Sequence, residues 1–179
     1  LRLGIPVFYN ASNRLSDIGR TIEQLGRVAG TEAVALLTAR AFAAREAELR
    51  QRYAGRSLVT VFFQIWDKPL MTVNGDHLIS DVIRLCGGQN VFAELTPLTP
   101  VISTEAVLAA DAEAIGGVTA EAGMAGILDI WKEWPRLRAV ARGNLFVIDS
   151  AIISRNTARI LDGAQRLCEG LDAARARRR

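Results

Sequence analysis

The side chains best suited to bind a ligand lie together in residues 64–71, which read QIWDKPLM. This segment combines large apolar groups with charged neighbours: Trp66, Asp67, Lys68, Pro69, Leu70 and Met71. Aromatic and thioether surfaces give adaptable apolar contact to a large flat ligand, and the two charged residues offer polar contacts. The alternative is that the apolar side chains fill an interface with a neighbouring lobe, while the charged ones only keep the loop solvated.

A strand and a helix position this segment. Residues 58–63 form an apolar run that is typical of a strand buried on both faces. The spacing predicts a helix over 76–86 that ends at Cys86-Gly87-Gly88. The segment therefore follows the carboxyl end of a strand, which is where open parallel sheets bind ligands.

Strand and helix patterns continue to alternate along the rest of the chain. Strands are predicted over 100–103, 113–118 and 144–149, and helices over 104–110, 123–131 and 156–174. Repeated alternation of this kind predicts an α/β layered domain with a mainly parallel sheet.

The beginning of the chain does not fit that sheet. A strand over 4–8 and a helix over 15–28, capped by Ser16 and ended by Gly30, precede a long helix over 31–53. A lone strand leaves both edges unpaired, so residues 1–30 are interpreted as the end of another α/β lobe. The long helix is expected to carry one apolar stripe: Val34, Leu37, Ala41, Phe42, Leu49 and Tyr53. The predicted organisation is a lobe remnant at 1–30, a connecting helix at 31–54 and a carboxy-terminal lobe at 55–179.

The net charge of +3 does not indicate nucleic-acid binding. Four of the 22 basic residues lie in the terminal run ARARRR, and the remaining 18 are balanced by 19 acids. Aromatic residues do not alternate with basic ones, so the sequence predicts no stacking platform for nucleic acid. The tail is expected to be a solvated end, with an anchor to an anionic surface as the alternative. No apolar run reaches 18 residues, so no membrane span is predicted.

Neither a metal site nor a catalytic centre is predicted. His77 is the single histidine, has no cysteine or acid at ligand spacing, and is expected to lie on the surface. The G-x-S-x-G, G-x-G-x-x-G and phosphate-loop patterns are absent.

Several motifs in this order resemble the class III substrate-binding proteins of ABC importers, and most closely the vitamin B12-binding branch. The matching residues are Phe62-Phe63-Gln64, the apolar loop from Trp66 to Met71, Cys86-Gly87-Gly88-Gln89-Asn90-Val91-Phe92, Ser103-Thr104-Glu105-Ala106-Val107-Leu108, the strand Leu145–Asp149 and Leu167-Cys168. The resemblance extends from Leu3 to about Arg175. It implies a Rossmann-like parallel-sheet lobe preceded by a long interdomain backbone helix and the last strand and helix of a truncated amino-terminal lobe.

The resemblance also implies where a ligand would lie. The loop after the strand at 144–149 would stand opposite the Trp66 loop across a cleft, with Ser150, Ile152 and Arg155 facing the ligand. The vitamin B12 branch tends to carry an Asp-Trp pair where this chain has Ala151-Ile152. Arg155 matches a basic residue of the family, and its alternative role is to cap carbonyls or pair with an acid.

Glu105 is implied to contact a partner protein. In the family, an exposed glutamate on each lobe docks into arginine pockets of the membrane permease, and Glu105 occupies the corresponding place. The alternative is an ordinary first-turn acid at the positive end of a helix dipole.

The family location is periplasmic and therefore oxidising, although the sequence starts at Leu1 with no signal peptide. Cys86 and Cys168, each on the apolar face of a separate helix, are either buried free thiols or a disulfide. The even count in an oxidising compartment favours the disulfide.

The resulting prediction is a non-enzymatic receptor that needs no cofactor and delivers a corrinoid such as cobalamin to an ABC importer permease. A siderophore or haem ligand is the first alternative. An α/β enzyme whose catalytic residues lie in a lobe outside this sequence is the second.

Overall fold

The computed structural model describes residues 12–119 and 126–178. Two helices come first, α1 (Leu15–Val28) and α2 (Glu32–Tyr53), and they pack against each other. A Cβ on Gly26 of α1 would lie 2.1 Å from the Cβ of Ala35, so this close approach requires glycine. Gly30 follows α1 with a φ of +68° and ends the helix as predicted. The predicted strand at 4–8 lies outside the described residues.

A four-stranded sheet forms the centre of the described chain. Its strands are β1 (Val59–Gln64), β4 (Gly88–Asn90), β5 (Ala114–Thr119) and β6 (Leu145–Asp149), in the order β4-β1-β5-β6. All neighbouring pairs are parallel, with Gln64 opposite Gly117 and Thr119 opposite Asp149. A separate two-stranded hairpin consists of β2 (Trp66–Asp67) and β3 (Leu70–Met71). The predicted α/β fold with a parallel sheet is confirmed.

Short and long helices connect the strands. They are α3 (Leu78–Leu85), α4 (Thr104–Ala110), a 3-10 helix (Asp129–Glu133), α5 (Arg138–Ala141), α6 (Ser150–Ile153) and α7 (Ile160–Ala176). One buried core joins β1 and β5 to α3 and α7, and it also includes Leu15 and Ile18 of α1. In the described parts of the chain no helix is both long and apolar enough to span a membrane.

Several element predictions need correction. Strand β4 was not predicted, because Gly88-Gln89-Asn90 carries no apolar run. The predicted strand at 100–103 is reduced to a single bridge between Val101 and Met71. Where a helix was expected over 123–131, the described part is a turn followed by the 3-10 helix, and residues 123–125 lie outside the description. The last helix begins at Ile160 instead of 156.

The cap predicted for α1 is also wrong. Ser16 lies inside the helix, and other side chains bind the N–H groups at this end: the Leu15 N–H donates to the Asp81 carboxylate at 2.9 Å. The Asp17 carboxylate accepts hydrogen bonds from the backbone N–H of Asn13 and Arg14 at 3.2 and 3.0 Å. A carboxylate is favoured there because it meets the positive end of the helix dipole.

The apolar stripe predicted for α2 is only partly correct. Phe42, Leu49 and Tyr53 are buried, whereas Val34 and Leu37 are 66% and 67% exposed. Ala41 is exposed as well, and the buried positions of that half are Ala35 and Ala39. The close packing against α1 selects small side chains on this face, so the largest apolar residues do not mark it.

The basic tail is not the solvated end that was predicted. The Arg175 guanidinium donates to the carbonyl oxygens of Ser57, Cys86 and Gly87 at 2.7, 2.7 and 2.9 Å. Arg178 forms two hydrogen bonds to the Glu113 carboxylate at 2.7 and 2.8 Å and also donates to the Leu58 carbonyl. The tail therefore supplies hydrogen-bond donors to backbone carbonyl groups at and near the amino-terminal end of β1.

The predicted disulfide is present. Cys86, directly after α3, is bonded to Cys168 in α7, across 82 positions of sequence. Both residues are fully buried. The bond joins the two helices that cover the sheet beside β1.

Removing this disulfide should destabilise the fold substantially. A link of this length lowers the entropy of the unfolded chain by an amount worth about 4–5 kcal/mol on the chain-entropy model. We expect the free energy of unfolding of Cys86→Ala/Cys168→Ala to be lower than that of the oxidised wild type by an amount of that order, as measured by urea titration. Free thiols detected under denaturing, non-reducing conditions, or a loss below about 1 kcal/mol, would contradict the assignment.

The Glu113–Arg178 pair should make stability depend on pH. Hydrogen bonding from Arg178 holds the pKa of Glu113 below its ordinary value of 4.5, although partial burial acts in the opposite direction. The contribution is therefore complete above pH 4.5 and is lost as the pH falls through the lowered pKa. We expect Glu113→Gln to cost about 1 kcal/mol at pH 7 and progressively less on acidification.

Urea titrations at several pH values between neutrality and the acid limit of folding measure this difference. The matched control is Glu169→Gln, because Glu169 forms an exposed pair with Arg166 on α7. A constant gap between wild type and Glu113→Gln across the acid range would contradict the assignment.

Candidate functional site

The predicted binding loop is an ordered hairpin beyond the carboxyl end of β1. Trp66 pairs with Met71 and Asp67 pairs with Leu70, in an antiparallel register. The Ile65 N–H donates to the Met71 carbonyl at 3.0 Å, which closes the base of the hairpin. The segment is therefore held by backbone bonds and is not a loose connection.

A second segment fixes the β2–β3 hairpin from outside. The Ile102 N–H donates to the Leu70 carbonyl at 3.0 Å, and the Thr72 N–H donates to the Pro100 carbonyl at 3.1 Å. The Thr72 hydroxyl donates to the Phe63 carbonyl at 2.8 Å and links the hairpin back to β1. The orientation of the hairpin thus depends on the sheet and on residues 98–102 together.

The pairing divides the predicted ligand residues between two faces. Directly paired residues lie on the same face of a hairpin, so Trp66 and Met71 share one face while Asp67 and Leu70 share the other. Trp66 is 47% exposed, and its indole N–H donates to the Lys68 carbonyl at 3.0 Å. Pro69, at the exposed turn, follows a cis peptide bond.

A pocket of about 480 Å³ lies on the Asp67 and Leu70 side of the hairpin. We call it the Gln64 pocket, after the residue at the end of β1. Its lining is mixed in character: Gln64, Asp67, Lys68, Leu70, Thr104, Gly126, Ile127, Asp129, Ile130 and Glu133. Two predicted ligand residues line this pocket, whereas Trp66, Pro69 and Met71 do not.

Gln64 belongs to the predicted segment 64–71, but it was not among the individual residues predicted to contact a ligand. It ends β1, is fully buried, and its Oε1 accepts a hydrogen bond from the Trp131 indole N–H at 2.7 Å. The signal in the sequence was a single amide at the end of an otherwise apolar strand.

Local packing explains how Trp131 reaches Gln64. Residue 117 of β5, directly opposite Gln64, is glycine, and a Cβ there would lie 2.8 Å from Leu128 Cδ2. The missing side chain lets the segment before the 3-10 helix lie against the strand. Trp131 is then held edge-to-face against Phe62, with ring centroids 5.5 Å apart.

The second predicted ligand segment lies on the same edge of the sheet but apart from the first. Ser150 and Ile152 belong to α6, which follows β6, and the Asp149 carboxylate accepts the Ala151 N–H at 2.8 Å. Strand β5 separates β6 from β1, and among the described residues the Gln64 pocket is lined by none of Ser150, Ile152 and Arg155. Ile152 is half-buried, and Arg155 is exposed.

Glu105 lies in the first turn of α4 and is exposed. Hydrogen bonds from its own backbone N–H and from the Ser103 hydroxyl hold the pKa of Glu105 below its ordinary value, so the side chain is a carboxylate at neutral pH. Ser103 also caps the helix by accepting the Ala106 N–H at 3.2 Å.

His77 is not the surface residue that was expected. It is half-buried at the start of α3, where its Nδ1 accepts the Ile79 N–H at 3.1 Å. Burial lowers the pKa of His77, because the charged form loses hydration. Within residues 12–119 and 126–178, no group of three or more metal-ligating side chains occurs.

A family model described as periplasmic binding protein matches residues 1–152. The chain belongs to this family. The match covers the hairpin, the Gln64 pocket and Glu105, so these features lie in a binding-protein framework.

Curated relatives in this family carry vitamin B12 in their names. The chain is 29% identical over 178 residues to the vitamin B12-binding protein of Vibrio campbellii, covering 99% of this chain and 64% of the relative. It is 30% identical over 174 residues to the protein of that name from Vibrio cholerae, covering 97% of this chain and 62% of the relative. The chain therefore spans less than two thirds of the length of these relatives.

Solved structures show the same fold. The periplasmic vitamin B12 binding protein of Vibrio cholerae superposes with a TM-score of 0.88 at 28% identity, covering 97% of this chain and 68% of that one. A Staphylococcus aureus protein solved in complex with heme superposes with a TM-score of 0.76 at 16% identity, covering 96% and 69%. At 16% identity, the likeness to the Staphylococcus aureus protein is evidence of a shared fold only.

Proposed function

We propose that this chain is the connecting helix and carboxy-terminal lobe of an extracytoplasmic receptor that delivers a corrinoid to an ABC importer. The observation that carries this proposal is the sequence identity of 29%, over 99% of the chain, to a protein named for vitamin B12 binding. The sequence identity to a haem-bound structure and to a possible iron-binding structure is 16% in each case. Siderophore and haem are therefore alternatives without a specific observation in their favour.

The exposed face of the β2–β3 hairpin is the proposed contact with the corrin macrocycle. Trp66 is almost half exposed although it is large and apolar, and Met71 lies beside it on the same face. The backbone bonds of the hairpin fix this face before a ligand arrives, which limits the entropy lost on binding. The other proposed ligand residues of this hairpin are Pro69 at the turn and Asp67 and Leu70 on the opposite face.

Ser150, Ile152 and Arg155 are the proposed second contact. Their segment lies at the same carboxyl edge of the sheet as the hairpin, with β5 between. A corrinoid is wide enough to reach across this interval, since two strand spacings amount to roughly 10 Å. Ile152 offers apolar contact where the vitamin B12 branch tends to carry tryptophan, so stacking on this side is reduced. Arg155 is exposed and provides guanidinium donors for polar groups of the ligand.

Corrinoid binding can be measured directly by co-elution of the full-length protein with cyanocobalamin. We expect a coloured complex in size-exclusion chromatography and a Kd from calorimetry. Trp66→Ala should weaken that Kd about tenfold, because covering the exposed part of an aromatic side chain is worth roughly 1–2 kcal/mol. Trp134→Ala is the matched control, because Trp134 is 41% exposed and lines a pocket to which no hairpin residue contributes. Colourless protein in the presence of corrinoids, with haem or a siderophore co-eluting instead, would overturn the proposed ligand.

Glu105 is the proposed docking residue for the permease. It is an exposed carboxylate at the start of α4, and Thr104 beside it lines the Gln64 pocket. A partner that binds here through arginine would form charge-assisted bonds to a group that is already ionised.

Docking should be separable from ligand binding. We expect Glu105→Gln to abolish most of the stimulation of ATP hydrolysis by the reconstituted importer of the same organism, while the Kd for the corrinoid stays unchanged. Glu48→Gln, which changes an exposed glutamate in the last third of α2, should leave both quantities at the wild-type level. Equal stimulation by all three proteins would reject the docking role, and a thermal melt checks that the variants remain folded.

A further inference from the structure

One hydrogen bond fixes the orientation of the Gln64 side chain. The Trp131 indole nitrogen carries a hydrogen and can only donate, so the Gln64 atom at 2.7 Å must be the carbonyl oxygen Oε1. The amide nitrogen Nε2 is then directed away from Trp131. Because Trp131 is itself fully buried and packed on Phe62, this orientation is not free to reverse.

Among the described residues the Nε2 atom has no hydrogen-bond partner. Within the described ranges, 12–119 and 126–178, it is the one buried side-chain nitrogen or oxygen that makes no hydrogen bond. Buried donors in native proteins are nearly always paired, so an isolated one calls for an explanation. Gln64 lines the pocket beside the hairpin. Because Nε2 is itself buried, a ligand atom in that pocket supplies the missing acceptor only when the neighbouring side chains of the lining move aside.

The charges around the pocket restrict which acceptor that is. Of the described residues that line it, Asp67, Asp129 and Glu133 are acidic and Lys68 alone is basic. Lys132 lies 2.5 Å from Asp129 and compensates one of these carboxylates, which still leaves the surroundings negative. An anionic acceptor is repelled here, whereas a neutral carbonyl is not.

A primary carboxamide satisfies both requirements. Its carbonyl oxygen accepts from Gln64 Nε2, and its NH2 group is a donor to which carboxylates of the same pocket are natural acceptors. A carboxylate group of the same size would offer only acceptors, and it would carry a charge of the wrong sign. The apolar part of the lining, Leu70, Ile127 and Ile130, suits the short alkyl chain that carries the amide.

We infer that the Gln64 pocket is a subsite for a neutral carboxamide group of the ligand and discriminates against a carboxylate there. This inference rests on the proposed function and deepens it, since corrinoids of the cobalamin type carry primary carboxamide arms around the macrocycle. Haem carries carboxylates instead. The pocket thus favours the amide-bearing ligand class by hydrogen bonding, separately from apolar contact at Trp66.

The subsite can be tested without a corrinoid, using propionamide and propionate as probes. In 15N-resolved NMR spectra we expect propionamide to shift the Gln64 side-chain NH2 resonances in a saturable way, and propionate at equal concentration to leave them unchanged. Gln89→Glu, which changes an exposed glutamine on β4, should retain the response. Unchanged Gln64 resonances with propionamide, or an equal response to propionate, would overturn the inference.

Corrinoids then test the subsite in the proposed setting. Gln64→Glu keeps an oxygen for Trp131 but replaces the Nε2 donor with a second oxygen, and it should weaken cyanocobalamin binding about tenfold, as loss of one buried ligand hydrogen bond does. Thermal melts without ligand confirm that this variant is folded. Equal cyanocobalamin affinity of wild type and Gln64→Glu would overturn the subsite and leave the proposed function intact. A Gln64 response to propionamide in a protein that binds no corrinoid would support the subsite and reject the corrinoid function.

Discussion

Strand β1 is buried on both faces, and the polar groups at its two ends must therefore be satisfied by neighbouring residues. At the amino-terminal end, the Thr60 N–H donates to Glu113, and the Glu113 N–H donates to the Thr60 hydroxyl. Arg178 completes this end by binding both the Glu113 carboxylate and the Leu58 carbonyl. An unpaired polar group in such a position costs about 1–3 kcal/mol. These hydrogen bonds connect the tail after α7 to the first residues of β1. The disulfide connects α7 to the end of α3 in the same region.

The carboxyl end of β1 is satisfied differently. The Phe63 carbonyl accepts a hydrogen bond from the Thr72 hydroxyl, and Gln64 Oε1 accepts one from the Trp131 indole N–H. Gln64 Nε2 has no partner in the part of the chain that the structure describes. The two ends of one strand therefore differ in their hydrogen bonding, with a dense network of charged groups at one end and a buried, unpaired donor beside a pocket at the other. The contrast agrees with the general rule that ligands bind at the carboxyl edge of a parallel sheet. Hydrogen bonds from charged groups are concentrated where Arg175 and Arg178 bind, and under the proposed function the opposite end meets the ligand.

The sequence predicted those parts of the fold that depend on local pattern. The apolar run of β1, the helix at Thr104–Ala110 and the Gly30 terminus of α1 each carry a signal within a few residues. Features that depend on distant contacts were missed or misjudged. The burial of Ala35 follows from Gly26 on another helix, and the ordering of Arg175 and Arg178 follows from carbonyls more than 80 residues away.

The candidate site shows the same division. The apolar hairpin was recognisable because Trp66, Leu70 and Met71 stand together in sequence next to a strand end. The division of that segment into two faces was not, because it depends on the antiparallel register between Trp66 and Met71. Gln64 acquires its role only when Trp131, 67 positions away, fixes its amide.

The register of the hairpin links the two proposed modes of recognition. Trp66 and Met71 present apolar surface on one face, while Asp67 and Leu70 line the Gln64 pocket on the other. A ligand with a flat macrocycle and flexible amide arms can use both faces at once, by resting on the first and extending an arm past the turn to the second. A flat ligand without such arms gains only the apolar contact, which is directionless and discriminates poorly among macrocycles. Selectivity in this lobe would then come from the pocket, and affinity mainly from the exposed face, so the two properties can be altered independently by substitution.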